Sequence, residues 1–249
     1  MSNNENQVYN SKILLRPSSL SELFDNPLLW YNKNIANSVV FNGNEATVLG
    51  TLLHQKIENY YQGIKDNQDT IHDYINEKVL QGISIDEWEL LDNLDEMFEV
   101  WKSSYNENFA KPTKLEHNFT VEPKDSIIYL QGTVDAIEGD TIIDWKTTSK
   151  KKSSIGDYWL QLYMYAYLAR SNGVDVNNVR VCYIQKGKVT PSGKPSPAQC
   201  YWYEEPIDEN KMKLLIDNLK IVSKKIRFSL DNPDLVELLW NNNLVTWRQ

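Results

Sequence analysis

The sequence predicts an α/β protein, a sandwich of helices on a mixed sheet, and three observations carry that prediction. Residues 18–62 place apolar residues at helical spacing between recognisable start and stop signals. From Lys114 the spacing changes to the two-residue alternation of strands, in three runs separated by Glu122-Pro123-Lys124-Asp125 and by Glu138-Gly139-Asp140. A helical stretch then leads into a fourth strand, and the order helix, three strands, helix, strand (αβββαβ) implies a mixed central sheet flanked by helices.

Residues 1–16 read as polar and frayed apart from the short apolar piece Ile13-Leu14-Leu15. After Pro17, Ser18 or Ser19 is placed to cap a helix, with Glu22 completing a capping box; Pro27 and Trp30-Tyr31 close that element. A second helix is expected from about Ala46 to Gln62, with Leu49, Leu53, Ile57 and Tyr60 in one stripe, His54 beside it and Gly63 as its C-terminal cap. Residues 64–110 hold two more helical patterns and read as a helical insert, acidic outside. Its second pattern puts Ile85, Trp88, Leu91, Phe98, Trp101 and Tyr105 on one side. Trp88, Trp101, Trp202 and Trp240 read as core residues rather than base-stacking platforms.

Strands follow at 115–121, 127–137 and 141–147, a helix at about 157–171 ended by Asn172-Gly173, and strands at 179–185 and 199–203. Residues 209–227 are helical again, and Asn232-Pro233 opens a short last helix ending near Trp240. No repeat or low-complexity tract interrupts residues 1–249, which read as a single domain.

Composition narrows the function. The chain has 249 residues and a net charge of -8, enough length for a full core without disulfide or metal staples. Two cysteines, Cys182 and Cys200, exclude a four-cysteine iron-sulfur or zinc site. No apolar run nears the ~20 residues of a membrane span, and the N-terminus shows no signal pattern, so a cytoplasmic location is expected. Frequent Asn and the preference for Lys over Arg fit a low-GC bacterium or a phage-infected cell. The acidic total argues at first sight against a nucleic-acid partner. In the first half, however, the acidity is concentrated in residues 64–110, whereas Lys146, Lys150, Lys151, Lys152, Arg180, Lys186, Lys188 and Lys194 belong to the second half.

The informative stretch is Gly132 to Thr147. A two-residue turn at Gly139-Asp140 sets Ala136 against Ile143 and Asp135 across from Asp144. Opposed carboxylates whose Cβ atoms lie about 4.5–5.5 Å apart are destabilising unless a cation compensates, and the candidates are Lys146, on the same face as Asp144, or a bound metal ion. A turn at Lys124-Asp125 would place Glu116 opposite Thr133, on the face of Asp135. With His54 on the preceding helix, carboxylate oxygens and one imidazole suit a hard divalent ion such as Mg²⁺ or Mn²⁺.

Gly132-Thr133-Val134-Asp135 followed by Asp144-Trp145-Lys146-Thr147 resembles the G-x-x-D … D-x-K core of the PD-(D/E)XK nuclease superfamily. Gly50 to His54 resembles the helical G-x-x-x-H of its RecB-like exonuclease group, Leu115-Glu116 the acidic strand residue, and Gln161 to Tyr165 the Q-x-x-x-Y motif. Ser19 to Phe24 is similar to the group's S-x-L-x-x-F helix. The resemblance implies a restriction-endonuclease-like core without the iron-sulfur cluster of some relatives.

It further implies that His54, Asp135, Asp144 and the backbone carbonyl of Trp145 bind one or two Mg²⁺ or Mn²⁺ ions. Lys146 would orient or deprotonate the attacking water and stabilise phosphate charge, with Glu116 in the outer part of the site. Gln161 and Tyr165 would contact DNA or brace the site, and Lys150 to Lys152 form a patch suited to the DNA backbone. The expected activity is DNA hydrolysis from an end, in recombination, repair or phage DNA processing, alongside a recombination, annealing or helicase protein. A structure-specific endonuclease or RNase of the same fold, or a non-catalytic DNA-binding module, are the alternatives.

Overall fold

A computed structural model describes residues 12–39, 43–189 and 194–241. In chain order its elements are β1 (Ile13–Leu15), a 3-10 turn (Pro17–Ser19), α1 (Leu20–Asp25), α2 (Pro27–Asn34), α3 (Glu45–Gln62), α4 (Gln68–Leu80) and α5 (Glu87–Asn108). Then come β2 (Lys114–Val121), β3 (Ile128–Glu138), β4 (Thr141–Thr148), α6 (Trp159–Ser171) and β5 (Asn178–Gln185). The chain continues through β6 (Lys188–Val189), β7 (Pro195–Ser196), β8 (Gln199–Pro206), α7 (Glu209–Asp231) and α8 (Val236–Trp240).

The longest strand, β3, organises the sheet. One of its edges pairs antiparallel with β2, from Lys114↔Ile137 to Val121↔Leu130. The other edge is shared: β1 runs parallel to its start at Ile13↔Ile128, and β4 runs antiparallel to its end, from Ala136↔Ile143 to Glu138↔Thr141. Residues 13–15, the apolar piece of the polar N-terminal stretch, form a strand, because Ile13, Leu14 and Leu15 find an unsatisfied stretch of β3 edge. Beyond β4 the order continues to parallel β5 and antiparallel β8, giving the mixed sheet the sequence predicts. β6 and β7 form a separate two-stranded ladder.

The turn at Gly139-Asp140, with Gly139 at φ +57°, produces the expected pairing of Ala136 with Ile143. The ladder ends at that pair. Asp135 and Asp144 are not ladder partners, since β4 leaves β3 there and pairs with β5 over its whole length. The β2–β3 register is also corrected: Asn118, not Glu116, lies opposite Thr133. Pro123 has no N–H to extend the ladder, so the connection occupies residues 122–127 instead of a two-residue turn. A shift of two preserves the face, and Glu116 falls between the pairs Leu115↔Ala136 and His117↔Val134.

Each face of the sheet carries its own apolar cluster. On one face, Ile137, Ile142, Val179, Val181 and Tyr183 pack with residues of α1, α2, α6, α7 and α8. On the other, Ala136, Ile143, Trp145, Cys182 and Ile184 pack under Leu49, Leu53 and Ile57 of α3 and Leu94, Met97 and Trp101 of α5. The buried stripe of α5 runs through Leu90, Leu94, Met97, Phe98, Trp101 and Tyr105, which turns Trp88 outward at 85% exposure, against the expectation of a core residue. Trp240 is fully buried, and Trp202 packs against Phe109 with ring centroids 4.4 Å apart and planes tilted by 53°.

Helix ends follow local chemistry. Asn44 and Thr47 form a capping box at the start of α3, and Gly63, at φ +70°, ends it. The box expected at Ser19 and Glu22 does not form: the Ser19 hydroxyl donates to the Arg16 carbonyl, and Glu22 pairs with Lys33. Cys182 and Cys200 are free thiols on neighbouring strands, Cys182 buried in the core.

Candidate active site

The site lies where β4 departs from β3. Past the last ladder pair, the Asp135 side chain replaces the missing backbone acceptor, and its Oδ2 accepts a hydrogen bond from the Trp145 N–H at 2.7 Å. Its Oδ1 lies 3.4 Å from Nδ1 of His54, whose Nε2 donates to the Trp145 carbonyl at 2.8 Å. With an acceptor at each ring nitrogen, the imidazole is held as its cation. Burial opposes that charge, but Asp135 outweighs burial and the His54 pKa is pushed up to about 9. The same contact holds Asp135 low despite its burial.

Glu116 enters from β2 in the left-handed region, at φ +42°, a conformation that costs a non-glycine residue about 1–3 kcal/mol and clusters at functional sites. Its Oε1 is buried without a hydrogen-bond partner. Burial first, then repulsion by Asp135, raises its pKa to about 7. His54, Glu116 and Asp135 offer ligand atoms that all lie within 4.8 Å of one another. Once His54 gives up its extra proton, an imidazole and two carboxylates, one with an unpartnered buried oxygen, fit a divalent cation.

Asp144 stands beside this group with its carboxylate engaged elsewhere. Lys146 Nζ lies 2.9 Å from Oδ1 and 2.8 Å from Oδ2, and the Gln161 amide donates to Oδ1 at 3.1 Å. Burial raises the Asp144 pKa to about 6, with Lys146 opposing the rise. Lys146 stays charged: burial works against the ammonium, and Asp144 and then Asp135 outweigh it. Gln161 also donates to the Tyr165 hydroxyl at 3.0 Å, and both side chains are buried, so they brace Asp144 from α6.

Gly132 explains its place in the motif. A Cβ there would stand 2.6 Å from Pro17 Cγ and 2.9 Å from Tyr165 Cε1. The residue must be small so that Pro17 and Tyr165 can close on β3 beside the split.

The sequence-predicted residues divide as follows. His54, Glu116, Asp135 and the Trp145 carbonyl come together; Asp144 and Lys146 form an adjoining pair; Gln161 and Tyr165 lie behind that pair. Lys150, Lys151 and Lys152 are exposed in the loop after β4, with Lys151 Nζ 4.9 Å above the Tyr201 ring. Sequence reasoning missed Glu58, which shares a cleft of about 430 Å³ with Thr47, Thr51, His54, Glu116 and Thr147. Its spacing of four from His54, one helical turn, was the available signal. Tyr158 was missed too: Lys146 Nζ sits 5.4 Å over its ring.

Fold and site are those of a protein whose His54, Glu116 and Asp135 could hold a metal ion. The PD-(D/E)XK nuclease superfamily matches residues 15–232, and the chain belongs to that superfamily, whose members use divalent metal ions. It is a metal-dependent nuclease in the general sense, and a nuclease of this family acts on DNA. A solved structure titled "Crystal structure of SSO0001" aligns at 17% identity and a TM-score of 0.33, covering 79% of this chain and 96% of that one. No curated protein matches the sequence. Among the described residues no helix is long and apolar enough to cross a membrane.

Proposed function

We propose that this chain is a Mg²⁺- or Mn²⁺-dependent deoxyribonuclease of the RecB-like group that degrades DNA from an end. The observation that carries the reading is the convergence of His54, Glu116 and Asp135 beside the Asp144–Lys146 pair. His54, Asp135, Asp144 and the Trp145 carbonyl would hold the ion, with Glu116 at its outer side, once Asp144 lets go of Lys146 and the carbonyl lets go of His54. A divalent ion so held lowers the pKa of its water and offsets charge on the scissile phosphate.

The chain's own groups supply the rest. Lys146, held charged by Asp144 in the metal-free site, serves as a compact cation for a phosphate oxygen or for orienting the attacking water. Gln161 fixes the carboxylate that directs Lys146, and Tyr165 fixes Gln161. Lys150 to Lys152 contact the DNA backbone without reading its sequence. Digestion from an end places the protein in recombination, repair or phage DNA processing in the cytoplasm, beside a recombination, annealing or helicase partner.

The test is digestion of end-labelled linear and closed circular DNA with Mn²⁺, comparing the parent with Asp144→Ala and Lys146→Ala. The expected result is loss of linear DNA with the parent alone and intact circles throughout. Cleavage by either variant at the parental rate refutes the site, and cutting of closed circles refutes digestion from an end. A folded parent that takes up no Mn²⁺ in calorimetry would be a non-catalytic DNA-binding module.

A further inference from the structure

The sheet face opposite α3 and α5 carries a second concavity, away from the nuclease site. It is a groove of about 460 Å³ between α7 and the loop joining β2 to β3, within the range of ligand-binding pockets. Ile128, Leu130 and Leu219 form its apolar floor, and Lys124, Lys220 and Lys224 stand among its lining residues. Asp125 is the one acidic lining residue. Asp135 lies five residue steps along β3 from Leu130, about 17 Å of strand, so the groove is distinct from the catalytic cleft.

The helix on its flank is charged against the trend of the molecule. Lys211, Lys213, Lys220, Lys224, Lys225 and Arg227 outnumber Glu209, Asp217 and Asp231 on α7, although the chain as a whole carries -8. Leu214, Ile221 and Phe228, at seven-residue spacing on α7, are about half exposed (48, 51 and 47%). Seven residues are close to two helical turns, so these three form one apolar line beside the lysines. A cationic band thus lies next to apolar surface on one helix and rims an apolar groove.

We propose that this groove docks an acidic peptide segment of a partner protein, anchored by one apolar side chain. The apolar floor takes the anchor, and Lys124, Lys220 and Lys224 face flanking carboxylates. A second copy of this chain is the wrong partner, because a two-fold contact through α7 would set the same lysines against each other. Nucleic acid matches the lysines but presents phosphate, not an apolar side chain, to the floor.

Fluorescence anisotropy tests this with a labelled peptide of aspartates and glutamates around a single phenylalanine. Saturable binding is expected, weakened at least about tenfold by the double variant Lys220→Glu/Lys224→Glu and by replacing the phenylalanine with serine. Both lysines are exposed and Lys220 gives up only a surface pair with Asp217 (2.8 Å), so the variant should melt close to the parent and cleave free DNA at the parental rate. Absence of saturable binding, or binding indifferent to both changes, overturns the proposal. Displacement of the peptide by a DNA oligonucleotide, with slower cleavage by the double variant, would make the band a DNA contact and overturn it equally. Binding that appears only after deletion of residues 1–11 would make the groove a seat for this chain's own N-terminus, and would overturn it as well.

Discussion

Gly132→Ala asks whether β3 is closed as tightly as the structure shows. The added Cβ would lie 2.6 Å from Pro17 Cγ, 2.9 Å from Pro17 Cδ and 2.9 Å from Tyr165 Cε1, whereas carbon atoms settle at about 3.5–4.0 Å. An opening of roughly 1 Å is needed on two sides at once. Pro17 is a rigid ring, and Tyr165 is buried and tied to Gln161, so neither yields by a simple rotation. Gly132 is not among the positive-φ residues, so alanine suits its backbone and recovers about 0.4–1 kcal/mol through the unfolded chain. Against that, overpacking costs about 1–3 kcal/mol, a net loss on the order of 1–2 kcal/mol. At about 2–4 °C per kcal/mol for a chain of this size, the melting temperature should fall by about 2–8 °C. Urea unfolding of the parent, Gly132→Ala, Pro17→Ala and the double variant gives the coupling between the two positions, expected near 1 kcal/mol in favour of the pair. Melting at the parental temperature together with zero coupling would refute the close approach, and with it the account of why this motif position is glycine.

Metal-free protein should lose stability as pH rises. The raised Glu116 pKa means a penalty absent below about pH 4.5 and complete above about pH 7, while the His54–Asp135 contribution is present below about pH 6.5 and lost as pH passes about 9. Melting in EDTA between pH 5 and 9.5 checks this, and a rising profile contradicts it. Glu116→Gln should raise the EDTA melting temperature at pH 8, leave it unchanged near pH 4.5, and shrink the rise produced by Mn²⁺. In the parent, saturating Mn²⁺ near 100 times its dissociation constant should add about 2.7 kcal/mol, seen as a concentration-dependent melting temperature that His54→Ala reduces. On β5, Arg180 is buried between Glu138 (2.6 Å) and Glu204 (2.7 Å) and lies over Phe109. Arg180→Met strands the Glu138 carboxylate and should cost about 3 kcal/mol, lowering the melting temperature by about 6–12 °C without changing the pH dependence of the metal-free site.

The elements themselves were legible in the sequence because their causes are local. Period-two runs, the Gly139 turn and the Gly63 cap act over a few residues, and each appears close to where the pattern puts it. The candidate site was legible as residue types at motif spacing: His54, Glu116, Asp135, Asp144 and Lys146 all converge. What the sequence by itself could not decide was register and direction. Asp135 does not face Asp144 across a ladder: β4 parts from β3 after Ile143 while its other edge stays paired with β5, a strand more than thirty residues further along. That parting frees the Trp145 N–H for Asp135 and its carbonyl for His54. Glu116 shifts two places because Pro123 ends a ladder, and its left-handed backbone appears only once β2 is seated on β3. The outward turn of Trp88, the strand at Ile13, and the groove under α7 likewise depend on which surfaces meet. Local signals specify where helices and strands form, whereas competition among distant edges and faces for burial decides which side chains share a site.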